Sequence, residues 1–209
     1  MDLSRPLAIV TPTVDADVLS VLAGATASFT GRQVHQMAGR HSERGVRNAL
    51  QRLAQQGIVG RKRVGSSDLY TLNRQHLGAP HIAALAGLKA ELLHRVRAEL
   101  ASWSVSAEYA SIFGSAARGD MRVDSDIDVF VVRPTAVPEA NDTWQDQVEN
   151  LAERITAWTG NDTRVLEMGV DEVGDAVARD EQVLSDIREQ GLVVAGPRNY
   201  LRKGADAND

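Results

Sequence analysis

Two carboxylates and a glycine-serine pair, separated by ten residues, are the side chains of this sequence best placed to do chemistry. Asp126 and Asp128 flank Ile127 at the head of the apolar run Val129 to Val132, and Gly114-Ser115 follows the apolar stretch Tyr109 to Phe113. In a strand, residues i and i+2 share a face, so the two carboxylates stand side by side while Ile127 turns to the core. Like charges held that close repel, and burying them is costly unless a cation lies between them. Oxygen ligands with no cysteine or histidine nearby favour Mg2+ or Mn2+ over Zn2+.

The glycine supplies the other half of the chemistry. Without a Cβ after a strand, backbone N–H groups can approach a phosphate, and Ser115 adds a hydroxyl. Arg118 and Arg122 lie on the connection between the strands and would neutralise phosphate charge. Such a set of groups suits metal-assisted phosphoryl or nucleotidyl transfer.

The string Gly-Ser-Ala-Ala-Arg-Gly-Asp-x-x-x-Asp-Ser-Asp-Ile-Asp, residues 114 to 128, resembles the signature of the DNA polymerase beta-like nucleotidyltransferase superfamily, and within it the small MNT-type branch. Leu184 to Gly196 resembles the C-terminal end of MNT-type domains, so the likeness spans Tyr109 to Gly196. It implies that Asp126 and Asp128 bind the catalytic metal, Mg2+ or Mn2+, and that Gly114 and Ser115 hold a nucleoside triphosphate, with Ser125 assisting at the phosphates; Arg118, from its place on the connection, joins them as a nucleotide-binding candidate. A third carboxylate on a later strand is implied as well. Glu167, on the short apolar segment Thr163 to Met168, is the candidate, as metal ligand or general base, although that place is commonly Asp in the family. MNT-type relatives often modify or neutralise a partner toxin protein, which makes a protein hydroxyl one acceptor and a small molecule another.

The elements that must position these groups fall into two sections of opposite charge. Residues 1–78 hold 10 Lys and Arg against 5 Asp and Glu, and residues 79–209 hold 13 against 23. This asymmetry suggests a basic module suited to a polyanion joined to an acidic one, with the boundary at Leu77-Gly78-Ala79-Pro80. The expected domains are therefore 1–78 and 79–209, with a polar tail from about Asn199. The chain has no cysteine, which removes disulfides and thiolate chemistry. No apolar run approaches the roughly 20 residues that span a bilayer, and the first residues lack a signal peptide's pattern, so a cytoplasmic location without membrane contact is expected.

In the basic section, Pro6 to Thr13 reads as extended. Helices follow over Val14 to Ala23, capped by Thr13, over Gly31 to Ala38, capped by Thr30 with Val34 and Met37 inward, and over Glu43 to Gln56, capped by Ser42. On the third, at 100° per residue, Val46, Leu50 and Leu53 share one arc, and Arg44, Arg47, Asn48 and Gln51 lie opposite. Arg, Asn and Gln are the side chains that read base edges in a major groove. Ile58 to Val64 and Asp68 to Asn73 form a hairpin carrying Arg61, Lys62 and Arg63. Residues 10 to 75 resemble a winged helix-turn-helix domain, which implies double-stranded DNA as a partner and a homodimer as the usual way of gaining specificity.

In the acidic section, a long helix from His81 to Trp103 carries Ile82, Leu85, Leu92, Val96 and Leu100 toward the sheet of the second domain. Thr143 to Trp158 is an amphipathic helix, and two more helices run over Asp171 to Ala178 and Asp180 to Glu189 before a last short strand. The fold class expected is α+β in two domains, a winged helix followed by a polymerase beta-like mixed sheet with flanking helices. The function expected is transfer of a nucleoside monophosphate from a nucleoside triphosphate to a hydroxyl. The alternative is a DNA-binding transcriptional regulator whose transferase fold serves as a sensor or dimerisation platform. Antibiotic modification of the aminoglycoside type is a third class, for which the chain lacks room for a further substrate domain.

Overall fold

The computed structural model describes residues 1–202, and the seven residues of the expected polar tail from Lys203 on lie outside them. The described chain separates into two compact units, one from Ser4 to Lys89 with Asp2, the other from Ala90 onward with Met1 and Leu3.

The first unit holds α1 (Val14–Ala23), β1 (Phe29–Thr30), α2 (Gly31–Ala38), α3 (Glu43–Gln55), β2 (Val59–Val64), β3 (Ser67–Leu72) and α4 (Ala79–Ala86). Pro6–Ile9 is a 3-10 turn rather than extended chain, with Pro6 at its first position where a missing N–H costs nothing. Thr30 caps α2 in a capping box with Gln33, and the Ser42 hydroxyl accepts from the Gly45 N–H. Thr13 makes no such bond to its helix. The three strands form one antiparallel sheet in the order β1-β3-β2. Val46, Ala49, Leu50 and Leu53 pack with Val18, Leu22 and Val34 in its core. Met37, expected inward, is exposed, because the eight-residue α2 buries only Val34.

A cluster of ionisable groups ties the start of this unit to α1 and to the link between α2 and α3. Asp17, on the first turn of α1, accepts hydrogen bonds from Arg5 Nε at 3.0 Å and Nη2 at 2.7 Å, and its second oxygen also meets His41 Nε2. His41 is thereby part of the packing between α1 and the α2–α3 link.

Gly87 interrupts the long helix expected from His81. α4 ends at Ala86, α5 (Leu88–Ala101) begins after it, and the apolar stripe divides accordingly. Ile82 and Leu85 pack into the core of the first unit, whereas Leu92, Val96 and Leu100 enter that of the second. A helix break reorients every side chain beyond it, so a stripe that is continuous in sequence serves two cores.

The second unit continues with β4 (Tyr109–Phe113), α6 (Gly114–Arg118), β5 (Ile127–Arg133), α7 (Asp142–Thr159), β6 (Thr163–Gly169), α8 (Val170–Ala178), α9 (Gln182–Gln190) and β7 (Leu192–Ala195). Its mixed sheet has the order β6-β5-β4-β7, with β5 and β6 parallel across the α7 crossover and the other pairs antiparallel. Both faces of the two central strands are covered, which is why they read as unbroken apolar runs. Ile127, Val129 and Val131 face α5 and α7 with Trp144, Leu151 and Ile155. Phe130 and Val132 face α8 and α9 with Val173 and Ile187. Tyr200–Arg202 closes the described chain as a 3-10 turn, with Leu201 buried and the Tyr200 ring stacked on Tyr109 at 5.1 Å, so the order persists past Asn199. Among the described residues no helix is long and apolar enough to cross a membrane.

Candidate active site

The site forms where β4 ends and β5 begins. Antiparallel pairing sets Phe113 opposite Asp128, so the residue after Phe113 must pass directly over the Asp128 carboxylate. That residue is Gly114. Its φ of +65° is one that side-chain-bearing residues rarely adopt, and a Cβ there would lie 2.3 Å from Asp128 Oδ2. The chain then winds into α6, burying Ala116 and turning out again at Gly119. Ser115 and Arg118 ride on this short helix.

Asp126 and Asp128 alternate with the fully buried Ile127, and Asp128 continues the face of Phe130 and Val132. Burial, then the neighbouring Asp126 charge, push the Asp128 carboxyl above its ordinary range, while Arg164 and Arg118 act in the opposite sense. The donor set fits Mg2+ or Mn2+, since Mg2+ is commonly held by one or two carboxylates together with waters and substrate phosphates.

The connection leading to the pair is held from beneath. Ser125 Oγ accepts the Arg122 N–H at 2.9 Å and closes the turn, so this hydroxyl shapes the loop. The buried Asn161 donates through Nδ2 to the carbonyls of Val123, at 3.0 Å, and Ser125, at 2.8 Å. Asn161 follows Gly160, the left-handed cap of α7, and so appears in sequence only as a helix stop. Its positioning role depends on β6 lying parallel to β5.

Glu167 is not brought to the pair. In the parallel register Asp128 aligns with Arg164 and Val131 with Glu167, which places Glu167 on the α7 face, opposite to Asp128. There Glu167 Oε1 accepts from Arg133 Nε at 2.7 Å and from the Trp144 indole N–H at 2.9 Å. Its place near the pair is taken by a cation, because Arg164 Nη2 lies 2.8 Å from Asp126 Oδ2. Among the described residues no group of three or more acidic, histidine or cysteine side chains could hold a metal ion. Replacing Glu167 by Gln is expected to leave nucleotide transfer unchanged, and replacing it by Ala to lower the unit's stability by about 2 kcal/mol through loss of two hydrogen bonds to a charged acceptor. Rate assays and denaturant melts check this, and a hundredfold rate loss in Glu167→Gln would restore a catalytic role.

In the first unit, Arg44, Arg47, Asn48 and Gln51 are all exposed on one side of α3. On the hairpin, Arg61 and Arg63 both turn to Asp68, at 2.7 and 3.5 Å, while Lys62 alternates to the other face.

The profile of the nucleotidyltransferase domain family matches residues 95–190, a span that contains β4, α6, β5, α7 and β6. Residues 95–190 thus resemble a nucleotidyltransferase domain. The carboxylate pair and Gly114 lie in the first half of this matched span. Similar solved structures include a toxin–antitoxin with AMP-PNP, at 16% identity and TM-score 0.38, covering 54% of this chain and 80% of that one. Two mutant forms of the toxin–antitoxin MntA-HpeT are also similar, at 14% and 16% identity with TM-scores of 0.37 and 0.36. Each covers 54% of this chain, and 80% and 78% of theirs. No curated protein matches the chain.

Proposed function

We propose that this protein transfers a nucleoside monophosphate from a nucleoside triphosphate to a hydroxyl acceptor. The acceptor oxygen forms a bond to the α-phosphorus, the bond from that phosphorus to the bridging oxygen breaks, and pyrophosphate leaves. The observation that carries this reading is the contact of Gly114 with Asp128, which sets a strand-end glycine and its following hydroxyl against a same-face carboxylate pair. Asp126 and Asp128 would hold a divalent cation, which when bound supplies positive charge to the triphosphate and to the leaving pyrophosphate. The Gly114–Ser115 backbone and the Ser115 hydroxyl would receive the phosphates, and Arg118 would balance their charge. Arg164 holds Asp126 in place of a third carboxylate. The MNT-type resemblance offers a hydroxyl on a partner toxin protein, or one on a small molecule, as acceptor.

The test is transfer of α-labelled ATP, GTP, CTP and UTP in Mg2+ or Mn2+, with and without lysate, for the native protein and for Asp126→Asn/Asp128→Asn. Label on a protein or small molecule that disappears in the double variant supports the proposal. Absence of label with all four nucleotides, or label unchanged in the variant, overturns it.

The first unit favours double-stranded DNA as a second partner, and with it the reading of a winged-helix regulator acting alone or alongside the transferase. Its support is the single exposed face of Arg44, Arg47, Asn48 and Gln51, suited to base edges, beside a hairpin bearing Arg61, Lys62 and Arg63. Because Asp68 engages two of those hairpin cations, α3 should carry most of the affinity. Arg44→Ala and Arg47→Ala are each expected to weaken binding to a selected operator about tenfold or more, measured by anisotropy across salt. Unchanged binding would remove α3 from the interface. A dimer would show as two half-sites in that operator.

A further inference from the structure

The arginines of the second unit are not scattered. Between Ala90 and Arg202, six of them hold a carboxylate: Arg95, Arg118, Arg133, Arg154, Arg164 and Arg179. Of the five that meet no carboxylate in any ion pair among the described residues, four line one concavity of ≈ 440 Å³: Arg97, Arg188, Arg198 and Arg202. Among the described residues no acidic side chain lines it. In a section where acids outnumber bases 23 to 13, chance would be expected to place carboxylates beside such a cluster, and leaving four like charges together without them costs free energy.

Two of the four guanidinium groups are held in place by neutral acceptors. Arg97 Nη2 donates to the Val193 carbonyl at 3.2 Å, and Arg188 Nη2 to Ser185 Oγ at 3.1 Å. Neutral partners orient these groups without cancelling their charge, leaving N–H donors for a guest. Tyr109 and Asn199 also line the space, which lies at the start of β4 beside β7. The Gly114–Asp128 contact is at the other end of that strand, about 13 Å away at the rise of an extended chain.

We propose that this concavity is a second anion site, separate from the carboxylate pair, which binds a small molecule carrying several phosphates. Its volume lies within the range of small-molecule sites. Planar guanidinium forks match phosphate oxygens in pairs, and four of them balance the charge of a tri- or tetraphosphate. The site needs no metal, so it differs in kind from the transferase site and does not depend on the transfer reaction proposed above.

The experiment is calorimetric titration of the full chain with inorganic tripolyphosphate in EDTA, comparing native protein, Asp126→Asn/Asp128→Asn, Arg188→Ala/Arg198→Ala, and Arg47→Ala as a cationic control in the first unit. One equivalent is expected to bind to the native protein, to the Asp double variant and to Arg47→Ala alike, with affinity at least tenfold weaker in Arg188→Ala/Arg198→Ala. Both arginines in that variant are exposed, and circular dichroism melts verify its fold. Binding that is absent, or that survives the arginine substitutions, or that is lost in Arg47→Ala instead, overturns the site.

Discussion

Gly114→Ala is expected to cost the protein its transferase activity by two independent routes. An alanine at φ +65° costs roughly 1–2 kcal/mol of backbone strain. Independently of φ, its Cβ would meet Asp128 Oδ2 at 2.3 Å, so either α6 lifts or the carboxylate turns away. A displacement near 1 Å of a reacting group can cost about a hundredfold in rate. Transfer assays should therefore fall by about that factor, and Mn2+ binding measured by electron paramagnetic resonance without nucleotide should weaken in parallel. The binding readout separates loss of the carboxylate pair from loss of the phosphate cradle. Native-like transfer by Gly114→Ala would show that the contact with Asp128 is dispensable.

The largest effect on stability is expected at Asp17. This buried carboxylate is gripped by Arg5 through two hydrogen bonds and by His41. Removing it in Asp17→Ala leaves a largely buried guanidinium without its counter-ion, a change that costs about 3 kcal/mol or more. Urea melts followed on the first unit measure this. Burial raises the Asp17 pKa, but the hydrogen bonds and charges of Arg5 and His41 outweigh it, and the carboxyl lies below its ordinary value. A depressed folded-state pKa contributes stability that is present above the unfolded value of about 3.9 and lost as pH falls through the folded value. The native protein should therefore lose stability below about pH 4, and Asp17→Asn should be less stable at neutral pH with a flatter acid limb. An acid limb of equal slope in the variant would mean that other carboxylates govern it.

Much of the local geometry around the candidate site was legible from spacing alone. Period-two alternation around Ile127 placed Asp126 and Asp128 on one face without knowledge of any neighbouring strand, and the glycine after Phe113 marked a place where a Cβ is excluded. Glu167 was misjudged for a different reason. Whether a residue on β6 shares the face of Asp128 depends on the β5–β6 register, and a shift of one residue reverses every side chain. The register aligns Arg164 with Asp128, and no pattern within Thr163 to Met168 reveals that alignment. Asn161 escaped notice because its two acceptors are 36 and 38 residues earlier. The same applies to His41, which lies 24 residues from Asp17.

The sequence by itself determined the local chemistry: the acid pair, the strand-end glycine, the capped helices, the exposed basic face of α3 and the opposed charges of the two sections. Each of these follows from periodicity or from backbone freedom within a few residues. Tertiary structure alone decided that Arg164 and not Glu167 stands beside the acids, that Gly87 divides one apolar stripe between two cores, and that Arg97, Arg188, Arg198 and Arg202 surround a common space. Those outcomes depend on strand register and on contacts between residues as far apart as Arg97 and Val193, which local propensity does not encode.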